Sequence, residues 1–430
     1  MIFFAEITTP EEPRPSALYA AFAGESAANE WTSINNVAAA RIYTTVEEEY
    51  AALDSGAALV DLGVQRRYAV RGYDAGALLG RLTSAPVKDI GVGESARGLI
   101  LDSTGRVVDF CDVTRLSGDS YLATTTGPID RRLAVAARGF DVTIENISET
   151  VAALGLFGPY AAKVAAAAGF AIAGDALASH GHVRGVEAFA RPTAMGRASG
   201  VEIIFPAEEA ITLWERVRHG GGGRALGGSQ TGRQESVQDN KAPIPVGVEA
   251  CEIMRIEGGV ARPGVDFTPA DQSHGAANHA LASYNDDTSG KRRPPEIGAA
   301  HLAPLNRAWF NGRRAMGEAE EKRRLTTLVA DADHITAGAP VFAGDAGSNK
   351  GQEKPIGRVT SAAFSPRYRA AICFVDAPFD RKTKGQLTIA LDGDGGQRAK
   401  TRALETPESH AATAFEARGK KPTESRGFFV

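Results

Sequence analysis

The chain has 430 residues, of which 43% are hydrophobic and 23% are charged, and its formal net charge is −4. This length predicts two or three domains, and the weakly acidic balance argues against nucleic acid as a partner. No apolar run approaches the roughly eighteen residues that a membrane span needs. Residues 1–6 lack the basic start of a signal peptide, and the three cysteines lack metal-site spacing. We therefore expect a cytoplasmic protein with neither a metal nor a membrane partner.

The first 130 residues have the patterning of an α+β fold. Residues 1–40 are predicted to be weakly structured apart from a helical patch at 16–23. Helical and alternating segments then follow: a helix from Thr45, strands at 57–62 and 67–72, a helix at 74–82 capped by Asp74, and strands at 97–101, 107–116 and 121–126. Consecutive strands joined by short turns predict an antiparallel sheet.

The same patterning continues to residue 257. It predicts a strand at 151–157, a helix at 160–168, a strand at 200–205, a helix at 208–217 and a helix from Val248. The stretches 219–245 and 268–293 have loop composition. The four glycines after His219 do not form a phosphate loop, because the pattern G-x-x-x-x-G-K-[ST] is missing there.

Short strands separated by glycine and proline follow residue 322, at 324–329, 340–341, 357–361, 370–375 and 387–389. This texture predicts a small all-β barrel or jelly roll. The predicted organisation is an N-terminal extension (1–40), an α+β region (41–321), a β-barrel (322–410) and a tail (411–430).

Eight short motifs occur in order along the chain. They are V-R-G-Y-D at 70–74, T-G-R-V-V-D at 104–109, L-F-G-P-Y-A at 156–161, G-V-E-I at 200–203, M-R-I-E-G-G at 254–259, P-E-I-G at 295–298, F-N-G-R-R-A at 310–315 and G-R-V-T-S at 357–361. In this order and spacing they resemble the glycine-cleavage T-protein (aminomethyltransferase) family. The resemblance covers about residues 42–395.

The resemblance implies a folate-binding region of two intertwined subdomains around a central channel, followed by a C-terminal β-barrel. It also implies a reaction, the transfer of a one-carbon unit between a small-molecule donor and tetrahydrofolate. Whether the chain forms a homodimer is left open by the sequence.

Two carboxylates match functional positions of the family. Asp109 matches the aspartate near the folate nitrogen, where a carboxylate orients an amine and stabilises developing positive charge. The alternative for Asp109 is a strand-end aspartate that bonds a turn. Glu202 matches the glutamate that grips the pterin through two hydrogen bonds, and the alternative is a surface carboxylate. Asp112, three residues after Asp109, faces the other side of its strand and is interpreted as structural.

Four further cofactor-binding positions depart from the family pattern. Met195 stands where the family has tyrosine, and Arg197 replaces the glycine of the same motif. Cys251 replaces the arginine that reaches the folate tail, and Thr125 lies at the asparagine position. Arg197 is the candidate replacement for the missing cation.

The stretch 268–293 is longer than in the aminomethyltransferases and resembles the extra segment of folate-dependent O-demethylases. His274, His279, Tyr284 and Arg292 are therefore candidates for a substrate pocket, with a surface loop as the alternative.

Other polar residues have simpler interpretations. Arg255 and Glu257 are predicted to form ion pairs in the core, and Asp266 to cap the residues that follow it. His180 and His182 are predicted to be exposed loop residues, because no other metal-ligating side chain lies at ligand spacing.

Three functional hypotheses follow. The first is a tetrahydrofolate-dependent methyl transferase or demethylase acting on a small substrate. The second is aminomethyl transfer from a lipoyl carrier protein, as in glycine cleavage. The third is a folate-independent or non-catalytic binding protein on the same fold.

Overall fold

The computed structural model describes residues 12–25, 30–101, 107–170, 179–183, 186–218, 242–268, 323–344, 354–378, 387–391 and 397–404. Its helices are α1 Tyr19–Ala23, α2 Val46–Ser55, α3 Ala75–Leu82, α4 Asp130–Ala136, α5 Ala161–Ala167, α6 Ala210–Arg218 and α7 Val248–Glu257. The first thirteen strands are β1 Glu30–Ile34, β2 Val37–Ile42, β3 Ala58–Asp61, β4 Arg66–Arg71, β5 Ser95–Leu101, β6 Val107–Arg115, β7 Ser120–Thr125, β8 Thr143–Asn146, β9 Val151–Phe157, β10 Ser179–Val183, β11 Val186–Met195, β12 Ala198–Pro206 and β13 Ile244–Pro245. The remaining strands are β14 Arg323–Ala330, β15 Pro340–Ala343, β16 Gly357–Ser365, β17 Ala370–Pro378, β18 Leu387–Ala390 and β19 Arg398–Ala403.

A five-stranded antiparallel sheet has the order β5-β6-β7-β4-β8, which confirms the predicted antiparallel arrangement. Helices α3 and α4 cover one of its faces, where Leu78, Leu79 and Leu133 pack on alternate strand residues such as Val70 and Val113. Alternation of side chains along each strand leaves the opposite face, called here the inner face, for the rest of the domain.

A six-stranded sheet has the order β10-β11-β12-β9-β3-β13, with β13 parallel to β3 and the other pairs antiparallel. Its outer face packs against α1, α5 and α6 through a cluster that includes Leu18, Phe22, Leu213 and Trp214. Its inner face meets that of the five-stranded sheet. Both sheets, α7 and the barrel strands β14 and β17 therefore contribute to one shared apolar cluster.

The N-terminal region is more ordered than the sequence indicates. Strands β1 and β2 form an antiparallel hairpin, and α1 is buried in the same cluster as α6. The hairpin turn uses Asn35 and Asn36 at φ values of 52° and 60°, a conformation that asparagine tolerates better than most residues. The expectation of weak structure up to residue 40 is wrong for the hairpin, because the two asparagines were not recognised as a turn.

The C-terminal strands close into a six-stranded barrel of order β14-β17-β16-β15-β18-β19. This confirms the predicted barrel. Strand β19 was missed because R-A-K-T-R-A carries three basic residues and only small apolar ones. It pairs with β18 and closes the barrel against β14.

Two smaller predictions are corrected. Asp74 stands at the cap position of α3 but makes no capping hydrogen bond, and its carboxylate instead accepts from the Asp141 backbone N–H at 2.9 Å. His180 and His182 belong to strand β10, which pairs with β11, and not to a loop. Of the helices described, none has the length and apolarity to cross a membrane.

Candidate functional site

Asp109 lies on β6, next to the turn that follows β7, and is 4% exposed. Its Oδ1 accepts hydrogen bonds from the Phe110 N–H at 2.7 Å and from the Thr126 hydroxyl. Its Oδ2 accepts from the Gly127 N–H at 2.8 Å. Burial raises the pKa of Asp109, while these hydrogen bonds oppose the rise without reversing it. No cationic side chain of the described residues bonds this carboxylate.

The N-terminal hairpin reaches the same turn. The Asn35 side chain donates to the backbone oxygens of Val64 and Thr126, and the Arg66 guanidinium donates to the Asn35 backbone oxygen. A Cβ placed on Gly127 would lie 3.8 Å from both Asn35 Oδ1 and Asp109 Oδ2, with nothing closer. Asn35 Oδ1 and Asp109 Oδ2 therefore lie close to the same residue of the turn. Sequence reasoning missed Asn35, although the Asn35-Asn36 turn was the signal that could have found it.

The inner faces of the two sheets each carry a row of polar side chains. On the five-stranded sheet, Arg97, Asp112, Thr124 and Arg67 occupy one register row across β5, β6, β7 and β4. On the six-stranded sheet, Arg191 and Glu202 are register partners on β11 and β12. These six residues face one another across the interior, and they are called the polar seam below.

Glu202 is the centre of the polar seam and is 1% exposed. Arg67 Nη2 lies 2.6 Å from Glu202 Oε1, and Arg191 Nε lies 2.6 Å from Glu202 Oε2. Burial alone would raise the pKa of Glu202, but the two guanidinium charges outweigh burial and lower it. Each carboxylate oxygen thus already has a cationic partner inside the protein. Each oxygen of an ionised carboxylate can accept a second hydrogen bond, so the predicted clamp of Glu202 on a pterin stays a prediction.

Asp112 continues the polar seam toward its exposed end. Arg97 donates to Asp112 through Nε at 2.7 Å and Nη2 at 2.9 Å, and Arg191 Nη2 lies 3.6 Å away. Burial raises the pKa of Asp112, yet Arg97 and Arg191 bring it down to about 2. Asp112 was interpreted as structural, and the structure gives it ion-pair partners on both sheets.

The four positions that depart from the family pattern lie in different surroundings. Thr125 is buried and its hydroxyl donates to the Gly127 backbone oxygen at 2.7 Å, so it supports the turn beside Asp109. Met195 and Cys251 are half-buried and pack against the shared apolar cluster. Burial raises the pKa of the Cys251 thiol well above its usual range.

Arg197, the proposed replacement cation, has its charge matched within the protein. Its guanidinium bonds Glu257 Oε2 at 2.5 Å, the Tyr50 hydroxyl at 2.9 Å, and Asp54. Two carboxylates surround this one cation. The contacts fix the β11–β12 turn to α2 and α7.

The M-R-I-E-G-G motif at the end of α7 fixes the barrel to the folded region before it. Arg255 bonds Asp266 Oδ2 at 2.6 Å and the Ser361 hydroxyl at 2.9 Å. Glu257 accepts from the Ser365 hydroxyl at 2.5 Å. The predicted ion pairs of Arg255 and Glu257 are confirmed: Arg255 pairs with Asp266, and Glu257 pairs with Arg197.

The Asp266 carboxylate joins α7 to the barrel, and the cap predicted for it lies largely outside the described residues. Its carboxylate accepts from Arg255, from the Arg262 N–H, and from the hydroxyls of Thr360 and Ser361. The motif G-R-V-T-S of the barrel thus meets the end of α7, so both motifs have a structural explanation here. His274, His279, Tyr284 and Arg292 lie outside the described residues.

Comparisons with known proteins cover most of the chain. The family model described as "GCVT N-terminal domain" matches residues 16–284, and "Glycine cleavage T-protein C-terminal barrel domain" matches residues 323–407. The second match coincides with the strands of the closed barrel.

Individual relatives agree with these matches. The chain is 28% identical over 331 residues to an aminomethyltransferase of Desulfitobacterium hafniense, covering 75% of this chain and 79% of that protein. It is 26% identical to an aminomethyltransferase of Moorella thermoacetica, covering 82% and 87%. The structure of the glycine cleavage system aminomethyltransferase T from Bartonella henselae aligns with a TM-score of 0.68 at 20% identity, covering 92% of this chain and 98% of that one. This last similarity establishes the fold.

Proposed function

Since this chain belongs to the glycine-cleavage T-protein family, we propose that it transfers an aminomethyl-type one-carbon unit to tetrahydrofolate, with Asp109 as the catalytic carboxylate. Relatives that align over three quarters of the chain carry the name aminomethyltransferase. The observation that carries the proposal is Asp109 itself, a buried carboxylate at the family's functional position with neutral hydrogen-bond donors only.

Three described residues of the interior would hold tetrahydrofolate. Phe110, half-buried on the inner face of β6, offers an aromatic surface to a flat ring. Asp109 alternates with Phe110 and belongs to the other face, beside its register partner Ile100, so it would reach a bound folate past the turn at Gly127. Thr124, on the same face, has a hydroxyl without a partner in the described part of the chain. Glu202 would hold the pterin with the lone pairs that Arg67 and Arg191 do not use. When bound, tetrahydrofolate supplies the nitrogen that accepts the one-carbon unit.

Asp109 has the charge that this chemistry needs. Its raised pKa makes the carboxylate a stronger proton acceptor than an ordinary aspartate, and no neighbouring cation neutralises it. A group that becomes positively charged at the donor nitrogen is stabilised by such a carboxylate. Asn35 Oδ1 and Asp109 Oδ2 both lie beside Gly127. The pair suits a donor that carries N–H groups.

A second candidate, methyl transfer from an oxygen, sulfur or nitrogen of a small substrate, is favoured by the altered motif at 195–198. Met195 replaces the family's tyrosine, and Arg197 is bound by Glu257 and Asp54. This segment therefore has a thioether and an ion-paired guanidinium where the family has a tyrosine and a glycine. Under this hypothesis the bond between the methyl group and the substrate oxygen, sulfur or nitrogen breaks as the methyl group bonds to the folate nitrogen, and the departing atom takes up the proton which that nitrogen loses.

The oxidation level of the transferred carbon distinguishes the two candidates. Purified protein would be incubated with tetrahydrofolate and either an aminomethylated lipoyl carrier protein or a panel of small O-, S- and N-methyl compounds. Mass spectrometry of the folate would report the product. Methylene-tetrahydrofolate from the carrier supports the proposed function, and 5-methyltetrahydrofolate from a small donor supports the second candidate. If no folate product forms and no folate binds, both fail and a folate-independent binding protein remains.

A further inference from the structure

The residues Thr126–Ile129 connect β7 to α4 and are called the Asp109 turn below. The Gly127 N–H of this turn donates to Asp109 Oδ2 at 2.8 Å. The Ile129 N–H, two residues later, donates to the Tyr68 hydroxyl at 2.9 Å. The turn is therefore bonded to Asp109 near its start and to Tyr68 at its end.

Only Pro128 lies between these two N–H groups. The proline ring fixes its own φ at about −65° and restricts the residue before it to extended conformations. Because few free backbone rotations separate the two N–H groups, a displacement at Ile129 also displaces the Gly127 N–H. The Ile129 side chain packs in the apolar cluster beneath α3 and α4. The turn therefore stays attached to the sheet when its hydrogen bond to Tyr68 is lost.

Tyr68 is a residue of β4 that is 1% exposed and lies on the same face of the sheet as Asp109. Its hydroxyl donates to Asp130 Oδ2 at 2.9 Å, and the Asn146 amide donates to Oδ1 of the same carboxylate at 2.9 Å. Because Asp130 accepts the phenolic proton, a lone pair of the Tyr68 oxygen faces the Ile129 N–H. Burial raises the pKa of Tyr68 to about 12, so the phenol is protonated at neutral pH.

We propose that Tyr68 is a positioning residue for Asp109, because its hydroxyl fixes the turn whose Thr126 and Gly127 groups donate to the carboxylate. The catalytic role of Asp109 rests on the proposed function, whereas the effect of Tyr68 on the surroundings of Asp109 does not. Burial raises the pKa of Asp109, and the hydrogen bonds from the turn oppose this rise. A displaced turn should therefore raise the pKa of Asp109 further.

Other groups around Asp109 do not supply these hydrogen bonds. Strand β5 places Ile100 opposite Asp109, and the hairpin places Asn35 beside the turn, and neither side chain ionises. The ionisable side chains on the elements around Asp109 are Cys111 on β6, Arg66 and Tyr68 on β4, and Asp130 on α4. None of these four bonds the Asp109 carboxylate in the described part of the chain. Burial raises the pKa of the Cys111 thiol well above its usual range, so the thiol is uncharged. The titration of Asp109 should thus report on the turn.

The test compares the full wild-type chain with Tyr68→Phe, which removes the acceptor of the Ile129 N–H, and with Asp130→Ala, which removes the exposed partner of the Tyr68 hydroxyl. Aspartate carboxyl groups are isotope-labelled, and NMR follows the titration of the Asp109 resonance, which is identified by its loss in Asp109→Asn. Tyr121→Phe is the matched control, because Tyr121 is a buried tyrosine on the same face, at the opposite end of β7 from the turn. Thermal unfolding checks that the variants fold.

Tyr68→Phe should raise the titration midpoint of Asp109 by about 0.5 to 1 pH unit and move the acid limb of kcat/KM equally. Its kcat at neutral pH should fall about 5- to 20-fold, with an unchanged Kd for folinic acid. Asp130→Ala should act less strongly in the same direction, and Tyr121→Phe should leave the midpoint unchanged.

The proposal is overturned if Tyr68→Phe leaves the Asp109 midpoint unchanged, or if Tyr121→Phe raises it as much. One-carbon transfer by the wild-type chain would persist in that case, so the proposed function would stand. If the wild-type chain forms no folate product, the proposed function fails, and a raised midpoint in Tyr68→Phe still supports the positioning role.

Discussion

Asp109 and Glu202 are both buried strand carboxylates, and both match positions that contact folate in the family, yet their surroundings are opposite. Asp109 is held by two backbone N–H groups and a hydroxyl, and its pKa is raised. Glu202 is held by two guanidinium groups, and its pKa is lowered. A carboxylate with neutral donors only is not neutralised by a neighbouring cation and is more basic than usual. A carboxylate between two arginines is less basic and forms ion pairs that connect the two sheets. Burial alone does not distinguish them.

The largest expected effect concerns Asp109. We expect Asp109→Asn to reduce kcat for one-carbon transfer by about 10²- to 10⁴-fold, because the charge that stabilises the reacting centre is lost. The folinic acid Kd should change little. Steady-state kinetics and calorimetry measure the two quantities. Glu145→Gln, an exposed change elsewhere on the same sheet, serves as control. Activity retained within a few-fold would remove Asp109 from the mechanism.

A substitution at Glu202 should mainly lower the stability of the folded protein. Glu202→Gln removes the carboxylate that Arg67 and Arg191 share and leaves Arg191 only its longer contact with Asp112, which should lower the free energy of unfolding by about 3–5 kcal/mol. Urea denaturation followed by fluorescence measures the change. Asp109→Asn should cost much less, because the amide oxygen still accepts two of its hydrogen bonds. Equal destabilisation by the two variants would contradict the contrast between the two sites.

Low pH should destabilise the polar seam because Asp112 becomes protonated. Its folded pKa of about 2 lies below the value near 3.9 of an unfolded aspartate. The ionised form is thus favoured by folding. The contribution of ionised Asp112 to the free energy of unfolding is about 2 kcal/mol. It is complete above about pH 4 and is lost as the pH falls toward 2. Asp109 has the opposite sign, since its raised pKa favours the protonated folded form. Denaturation midpoints between pH 2 and 6 test this, and Asp112→Asn should flatten the profile.

Removal of the Asn35 side chain from the N-terminal hairpin should have a moderate effect on stability and on kcat. Asn35→Gly keeps the positive φ of the turn but removes the amide that bonds Val64 and Thr126. We expect a loss of about 1–2 kcal/mol in unfolding free energy, with a lower kcat because the turn beside Asp109 is less fixed. Unchanged kcat and stability would show that the hairpin does not position this site.

The smallest effect is expected at Thr124. Thr124→Val removes a buried hydroxyl that has no partner in the described chain. The ligand-free protein should be unchanged or more stable by up to about 1 kcal/mol. Calorimetric unfolding measures this. A clear destabilisation would mean that the hydroxyl is bonded in the ligand-free protein.

Much of the fold could be predicted from local pattern and motif order. The antiparallel sheet, α7 and the barrel follow from side-chain alternation, helical spacing and turn residues near one another in sequence. Strand β11 was missed because Pro192 interrupts a segment with little β-propensity. Without β11 in the prediction, Arg191 could not be placed beside Glu202. Arg191 is one of the two arginines that lower the pKa of Glu202.

The polar seam could not be predicted, because it depends on the register of two sheets. Arg67 and Glu202 are 135 positions apart, and neither carries a local signal of the other. The donors to Asp109, by contrast, come from its own strand and the next turn. The alternative interpretation of Asp109, a strand-end aspartate that bonds a turn, describes these contacts correctly. The catalytic role of Asp109 is a proposal.

Calorimetric titration of the full-length chain with folinic acid tests the central claim most directly. If the protein is a tetrahydrofolate-dependent transferase, saturable binding should occur with one site per chain, and Asp109→Asn should bind with similar affinity. An absence of binding up to about 1 mM ligand, a concentration at which even weak complexes form, would contradict the account.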